Sequence, residues 1–268
     1  DKYFRTASIS PSSNWPDGST FIVSTQGSYS DVRGSIVNSA TGSLIAQIDQ
    51  INAPYWYGEN LNAPYSSKGF WFSESVDVSA IGEDKFLVVW RGDYAYSSDS
   101  VIYGRLFSKE GTALTDSFVA STQWSNDLDQ PTIIPFADGE GFSLAYTSRY
   151  PDKLFIDHYN IDGSTSPTIP NTPLILQESS AGLIPGGLGV LYGVSVSRIG
   201  DEKFLVSAVT GDSAGHYFDV ASWQIYGSIG SGYYPDVVRW LTDDTPRENR
   251  ATESTTLNNG DVVVTYWG

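Results

Sequence analysis

The chain has 268 residues, enough to bury a large core without a covalent staple, and no cysteine, which excludes disulfides, thiolate metal sites and cysteine nucleophiles. Its 31 acidic and 15 basic residues give a net charge of −16, which disfavours nucleic acid and anionic membranes, since attraction to either needs Lys and Arg. No run of about 18 apolar residues occurs, so no membrane insertion is expected. Aromatic residues make up 14% of the chain and Gly is plentiful at 26, which points to an all-β protein rich in turns rather than to disorder. The start at Asp1 rather than Met reads as a processed or excised fragment, and the acidity suits a secreted or cell-surface protein in a salty or calcium-containing medium.

In chain order, a first short strand (Asp1–Ser10) precedes PDGSTFIVSTQG (Pro16–Gly27), a turn followed by an apolar run. DVRGSIVNSATG and LIAQIDQ follow as two further strands. A long aromatic insertion then runs from Asn52 to Ser73 and contains the phrase NAPY twice. After it come the alternating SVDVSAI, the continuous KFLVVW, then DSVIYGRLFSKEG and DSFVAST. The same order recurs in DGEGFSLAYTS, KLFIDHYNIDG and PLILQES, and again in YGVSVSRI, KFLVSAV, FDVASWQIYGSIG and PDVVRW. The Gly-rich SSAGLIPGGLG (Ser179–Gly189) reads as a connection and LTDDTPRENR (Leu241–Arg250) as a surface loop. NNGDVVVTYWG (Asn258–Gly268) ends the chain.

Setting EDKFLVVW against DEKFLVSA aligns Val78 with Val196, Gly82 with Gly200 and Phe86 with Phe204 at an offset of 118 residues. Half that offset predicts an intermediate copy, which Phe142 supplies. The equivalent positions Phe21, Phe86, Phe142, Phe204 and Val262 are spaced by 65, 56, 62 and 58 residues. Repeats of this period, each with four short strands, predict a β-propeller of about five four-stranded blades, with a fragment of a larger propeller as the alternative. The blades fall at about 4–49, 74–121, 131–178, 192–240 and 250–268, the last completed by the N-terminal strand, in a single domain spanning 1–268. A lone blade cannot bury both faces, so Phe86 and its equivalents are expected at the contacts between blades.

The stretch KFLVVW…DSVIYGRLFSKEGTAL resembles a propeller-type repeat of large secreted bacterial adhesin-like proteins, which runs aromatic-Val-Val-Trp, Ile-Tyr-Gly-Arg-aromatic and then an acidic-Gly turn. The second blade carries the resemblance best. The fourth has Ala208 in place of the Trp, and the third has Phe155–Asn160 in place of IYGRLF. The resemblance implies an extracellular, calcium-associated setting and no particular activity.

Insertions into a repeat often bind. Tyr55, Trp56, Tyr57, Tyr65 and Trp71 offer flat faces that suit stacking on a sugar, or alternatively packing against the fold. Asp127 and Asp129 in SNDLDQ form the densest acidic turn and are the candidate calcium ligands. His158 and His216 both fall in third strands, without a Gly-x-Ser-x-Gly elbow, which argues against a histidine-based catalytic site. Asp77, Asp93, Asp129, Asp212 and Glu253 are the carboxylates near the ends of inner strands that a glycan-cleaving site would use. No catalytic residue is assigned. The sequence favours an extracellular non-catalytic binding or adhesion module for a glycan or surface polymer. The alternatives are a carbohydrate-active enzyme (a glycoside hydrolase or lyase) using channel carboxylates, and a structural or assembly domain.

Overall fold

The computed structural model describes residues 4–11, 19–26, 31–49, 51–52, 70–94, 99–121, 125–126, 128–136, 141–149, 152–160, 162, 190–200, 203–211, 218–228, 232–240, 251–256 and 261–267. No helix among them is long and apolar enough to cross a membrane. The chain forms two compact units: Asp1–Leu144 with His158–Thr165, and Ala145–Asp157 with Ser166–Gly268.

The first sheet is an antiparallel meander of β1 (Phe4–Pro11), β2 (Ser19–Gln26), β3 (Asp31–Asn38) and β4 (Leu44–Ile48). The N-terminal strand, expected to complete the last sheet, is paired with β2 here. In β3 Val32, Gly34 and Ile36 are buried while Arg33 and Ser35 are less so, the period-two pattern of a strand. Asn38 turns the chain into β4: its Oδ1 accepts the amides of Ala40 and Thr41, and Gly42 takes φ 68°.

The second sheet holds β5 (Phe70–Ile81), β6 (Lys85–Tyr94), β7 (Asp99–Ser108) and β8 (Phe118–Val119), with β9 (Ser125–Asn126) continuing the outer edge along β7. The run Phe86–Trp90 in β6 is buried at every residue, so both faces of that strand are covered, as its unbroken apolar sequence predicts. Phe86 lies between Ala80 and Phe107 in register, and Trp90 stacks on Tyr103 at 6.0 Å. The acidic-Gly turn after β7 uses Gly111 at φ 88°. Phe86, Val88, Trp90, Val76 and Val78 share one core with Val32, Ile36 and Ile51, so the second sheet is buried against the first. Burying an aromatic of this size is worth several kcal/mol, about 3–5 when it is cut back to Ala.

The third sheet is β10 (Leu128–Pro135), β11 (Gly141–Arg149) and β12 (Asp152–Asn160), and the unit boundary falls inside β11 and β12. Its expected fourth strand, PLILQES, lies outside the described residues. The second unit carries the four-stranded sheet β13 (Val190–Gly200), β14 (Lys203–Gly211), β15 (Phe218–Ser228) and β16 (Gly232–Trp240), and the pair β17 (Ala251–Thr256) and β18 (Val262–Trp267). Each predicted key residue lies on the second strand of its sheet: Phe21 in β2, Phe86 in β6, Phe142 in β11, Phe204 in β14 and Val262 in β18. Phe86 and Phe142 are 0% exposed and Phe204 is 4% exposed, which is the burial the repeat required.

Candidate functional site

Within each unit the first strands of successive sheets lie against one another. In the first unit β5 lies against β1 and β10, and in the second unit β13 lies against β17. Two such seams carry described polar side chains. The β5/β10 seam holds Ser75, Asp77 and Asp129, and the β13/β17 seam holds Ser195, Ser197 and Ser254.

Asp129, in β10, is a carboxylate held from several sides. Its Oδ1 accepts a hydrogen bond from the Ser75 hydroxyl and one of 2.8 Å from the Gln130 amide. Its Oδ2 lies 3.6 Å from Nη1 of Arg91, in β6, whose side chain is 10% exposed against 21% for the aspartate. Each of these partners gives a proton or positive charge, which is what a fixed negative charge needs. The two residues flanking this contact share an uncommon backbone: Ser75 has φ 48° and Gln130 φ 53°, both left-handed without being glycine. That conformation costs a residue with a Cβ about 1–2 kcal/mol.

The bulge beneath this arrangement belongs to the repeat. The ladder slips by one residue between Phe4 and Ala7, between Glu74 and Val76, and between Tyr192 and Ser195, so the first strands of three sheets carry a bulge at the same place. The side chains differ. At the offset of 118 residues Ser75 corresponds to Gly193, which has no side chain to bind a carboxylate.

Asp77 also has a counterpart. It stands opposite Val89, three residues past Phe86, as Ser195 stands opposite Ser207, three past Phe204, and Glu253 opposite Thr265, three past Val262. Asp77 Oδ2 accepts the Ile133 amide at 2.8 Å, and Ser195 Oγ accepts the Ser254 amide at 2.7 Å. One first strand thus takes an amide of the next first strand in both units. Asp77 is a tie between sheets. Asp129 has no such counterpart among the described contacts.

His158 comes closest to a catalytic dyad, with its Nδ1 2.8 Å from the Ser143 hydroxyl. Both are buried, at 2% and 0% exposed, and the Phe136 ring lies 6.2 Å from the imidazole. Burial pushes the imidazole down to about 4, so at neutral pH it is uncharged. The neighbouring Asp157 receives the Tyr146 hydroxyl at 2.6 Å instead, because consecutive strand residues point to opposite faces. A Ser–His pair closed off from solvent, with its nearest carboxylate committed elsewhere, is a core hydrogen bond.

Tyr55, Trp56, Tyr57 and Tyr65 lie outside the described residues, as does the side chain of Trp71 in β5. The root of their insertion is pinned: Val32 donates to Asn52 Oδ1 at 3.2 Å, and Arg105 Nη1 donates to the Ile51 carbonyl at 3.0 Å. Asp127, Asp212 and His216 are outside the described residues, as are the side chains of Asp93 and Glu253. Among the described residues no three His, Cys, Asp or Glu side chains converge. A calcium ion at Asp129 would sit beside the Arg91 guanidinium and would need Asp127 as a further ligand. The roles of Ser75 and Arg91 escaped the sequence reading, and only the departure from Gly193 to Ser75 within the repeat could have signalled one of them.

No family model matches the chain, and no curated protein matches it in sequence. Among solved structures it is similar to the GH93 α-L-arabinofuranosidase of Fusarium graminearum, in complex with arabinobiose, at 11% identity and TM-score 0.56, covering 98% of this chain and 74% of that one. A levansucrase from Bacillus subtilis matches at 8% identity and TM-score 0.59, covering 100% of this chain and 81% of the other. An endo-arabinase from Bacteroides thetaiotaomicron matches at 12% and 0.56, covering 92% and 84%. All three are five-bladed β-propellers, and the chain shares that all-β fold, as its repeat predicted. The expectation of a non-catalytic binding or adhesion module is corrected here, because the proteins that share the fold are glycan-acting enzymes.

Proposed function

We propose that the chain is a carbohydrate-active enzyme of the glycoside-hydrolase type, in which Asp129 is a reacting carboxylate. The observation that carries this reading is the seat of Asp129. It lies on a first strand, fixed through Oδ1 by Ser75 and Gln130, with Arg91 near Oδ2. Cleaving a glycosidic bond needs one carboxylate to attack the anomeric carbon or to activate water, and a second carboxyl group to protonate the leaving oxygen. Asp129 suits the first task, since two donors orient Oδ1 and Arg91 lies by Oδ2. We assign Asp77 to the tie with Ile133 rather than to the second task, which leaves Asp93 as the candidate proton donor in the same compact unit.

The names of the structural neighbours support an arabinan- or levan-like glycan as substrate class. The aromatic insertion from Asn52 to Ser73 would supply the stacking surface for such a chain, through Tyr55, Trp56, Tyr57, Tyr65 and Trp71. A single propeller domain across residues 1–268, acting outside the cell, completes the reading. The test is reducing-sugar release from a panel containing arabinan and levan. The expected result is turnover by the wild type that Asp129→Asn abolishes while the far-ultraviolet circular dichroism stays unchanged. Absence of turnover across the panel, or wild-type rates from Asp129→Asn, refutes it.

A further inference from the structure

We infer that Ser75 is the positioning residue for the Asp129 carboxylate: its hydroxyl, carried on the first-strand bulge of the second sheet, fixes Oδ1 and so sets which way Oδ2 points. This rests on the reading of Asp129 as a reacting group.

Three observations carry it. The bulge lifts Ser75 out of the β5 ladder, where a regular strand residue would pair with β6, and aims it at the neighbouring β10. The position demands a left-handed backbone, φ 48°, which glycine adopts without strain. The chain writes glycine at the corresponding place in the fourth sheet, Gly193, yet keeps a side chain here. The side chain it keeps ends in a hydroxyl that donates to Asp129, on the same oxygen that takes the Gln130 amide. With two donors on Oδ1 the carboxylate cannot rotate freely, and its other oxygen stays by Arg91 at 3.6 Å. A carboxylate held this way presents one oxygen in one direction, which is the geometric requirement for in-line attack or for taking a proton from water.

The test compares Ser75→Gly with Ser75→Ala on arabinan and levan. Both lose the hydroxyl, but only glycine relieves the backbone. The expected result is the same loss in both, a tenfold to hundredfold fall in kcat with KM within about twofold. Over the same pair, melting temperature should be higher for glycine than for alanine by about 2–4 °C. A residue that merely supports the fold gives the other pattern, with kcat following melting temperature or unchanged in both variants, and that overturns the inference while Asp129→Asn remains inactive. If the wild type turns over no glycan, the reading of Asp129 fails and the inference falls with it.

Discussion

The β5/β10 and β13/β17 seams are built from one plan and finished differently. Each passes an amide from one first strand to a side-chain acceptor on the previous one, Ile133 to Asp77 and Ser254 to Ser195. In the second seam the other described polar contacts join neutral hydroxyls, with Ser254 Oγ 2.8 Å from Ser195 Oγ and 2.7 Å from Ser197 Oγ. The first seam adds a carboxylate, a guanidinium and two left-handed residues that bear side chains. The tie recurs at both of these seams. Among the described residues the added charge and strain do not recur, and that separates a candidate site from scaffold more cleanly than acidity does.

The largest contrast is expected in turnover. Asp129→Asn should lower kcat on arabinan or levan by about 10³-fold, the range for removing a reacting acid or base. Ser254→Ala, in the other seam, should leave kcat within about twofold, and equal losses from both changes would erase the distinction. Next comes pH, which sets the window in which the seams can be compared. His158 is lowered to about 4 in the folded chain from an ordinary 6.5, so between these values the unfolded chain binds more protons. Its contribution is therefore complete above pH 6.5, declines as pH falls toward 4 and changes no further below. The decline should amount to about 3 kcal/mol, and urea titrations of His158→Gln should lack it. A slope identical to wild type would mean that other groups govern acid stability.

A smaller effect tests the shared tie. Asp77→Ala and Ser195→Ala each strand an amide at a seam and should each cost about 1–3 kcal/mol in urea unfolding. Asp77→Ser, which writes the other seam's residue into this one, should recover most of that stability and keep turnover. Inactivity of Asp77→Ser in a well-folded protein would return Asp77 to the list of reacting groups. The smallest change is Ser197→Ala, about 0.5–1.5 kcal/mol, because Ser254 keeps its contact with Ser195.

Much of the architecture could be read from the chain because strand burial is a local property. An unbroken apolar run such as Phe86–Trp90 has no polar face to show solvent, so it needs cover on both sides wherever it ends up. The site could not be read in the same way. The sequence offers Asp129 as a calcium ligand and as one of five candidate carboxylates, while its partners Ser75 and Arg91 are 54 and 38 residues away and look unremarkable in their own segments. His158 and Asp157 are neighbours in the chain, yet strand alternation sends the two side chains to different partners, Ser143 and Tyr146.

By itself the sequence determined the period, the strand grammar and the burial of Phe86, Phe142 and Phe204, since each follows from apolar and turn residues acting within a few positions. Only the tertiary structure decided that Asp77 takes a backbone amide of the next sheet while Asp129 is held between Ser75, Gln130 and Arg91. That difference arises where strands distant in sequence meet, and hydrogen bonds across such a seam depend on register and on a one-residue bulge rather than on residue type.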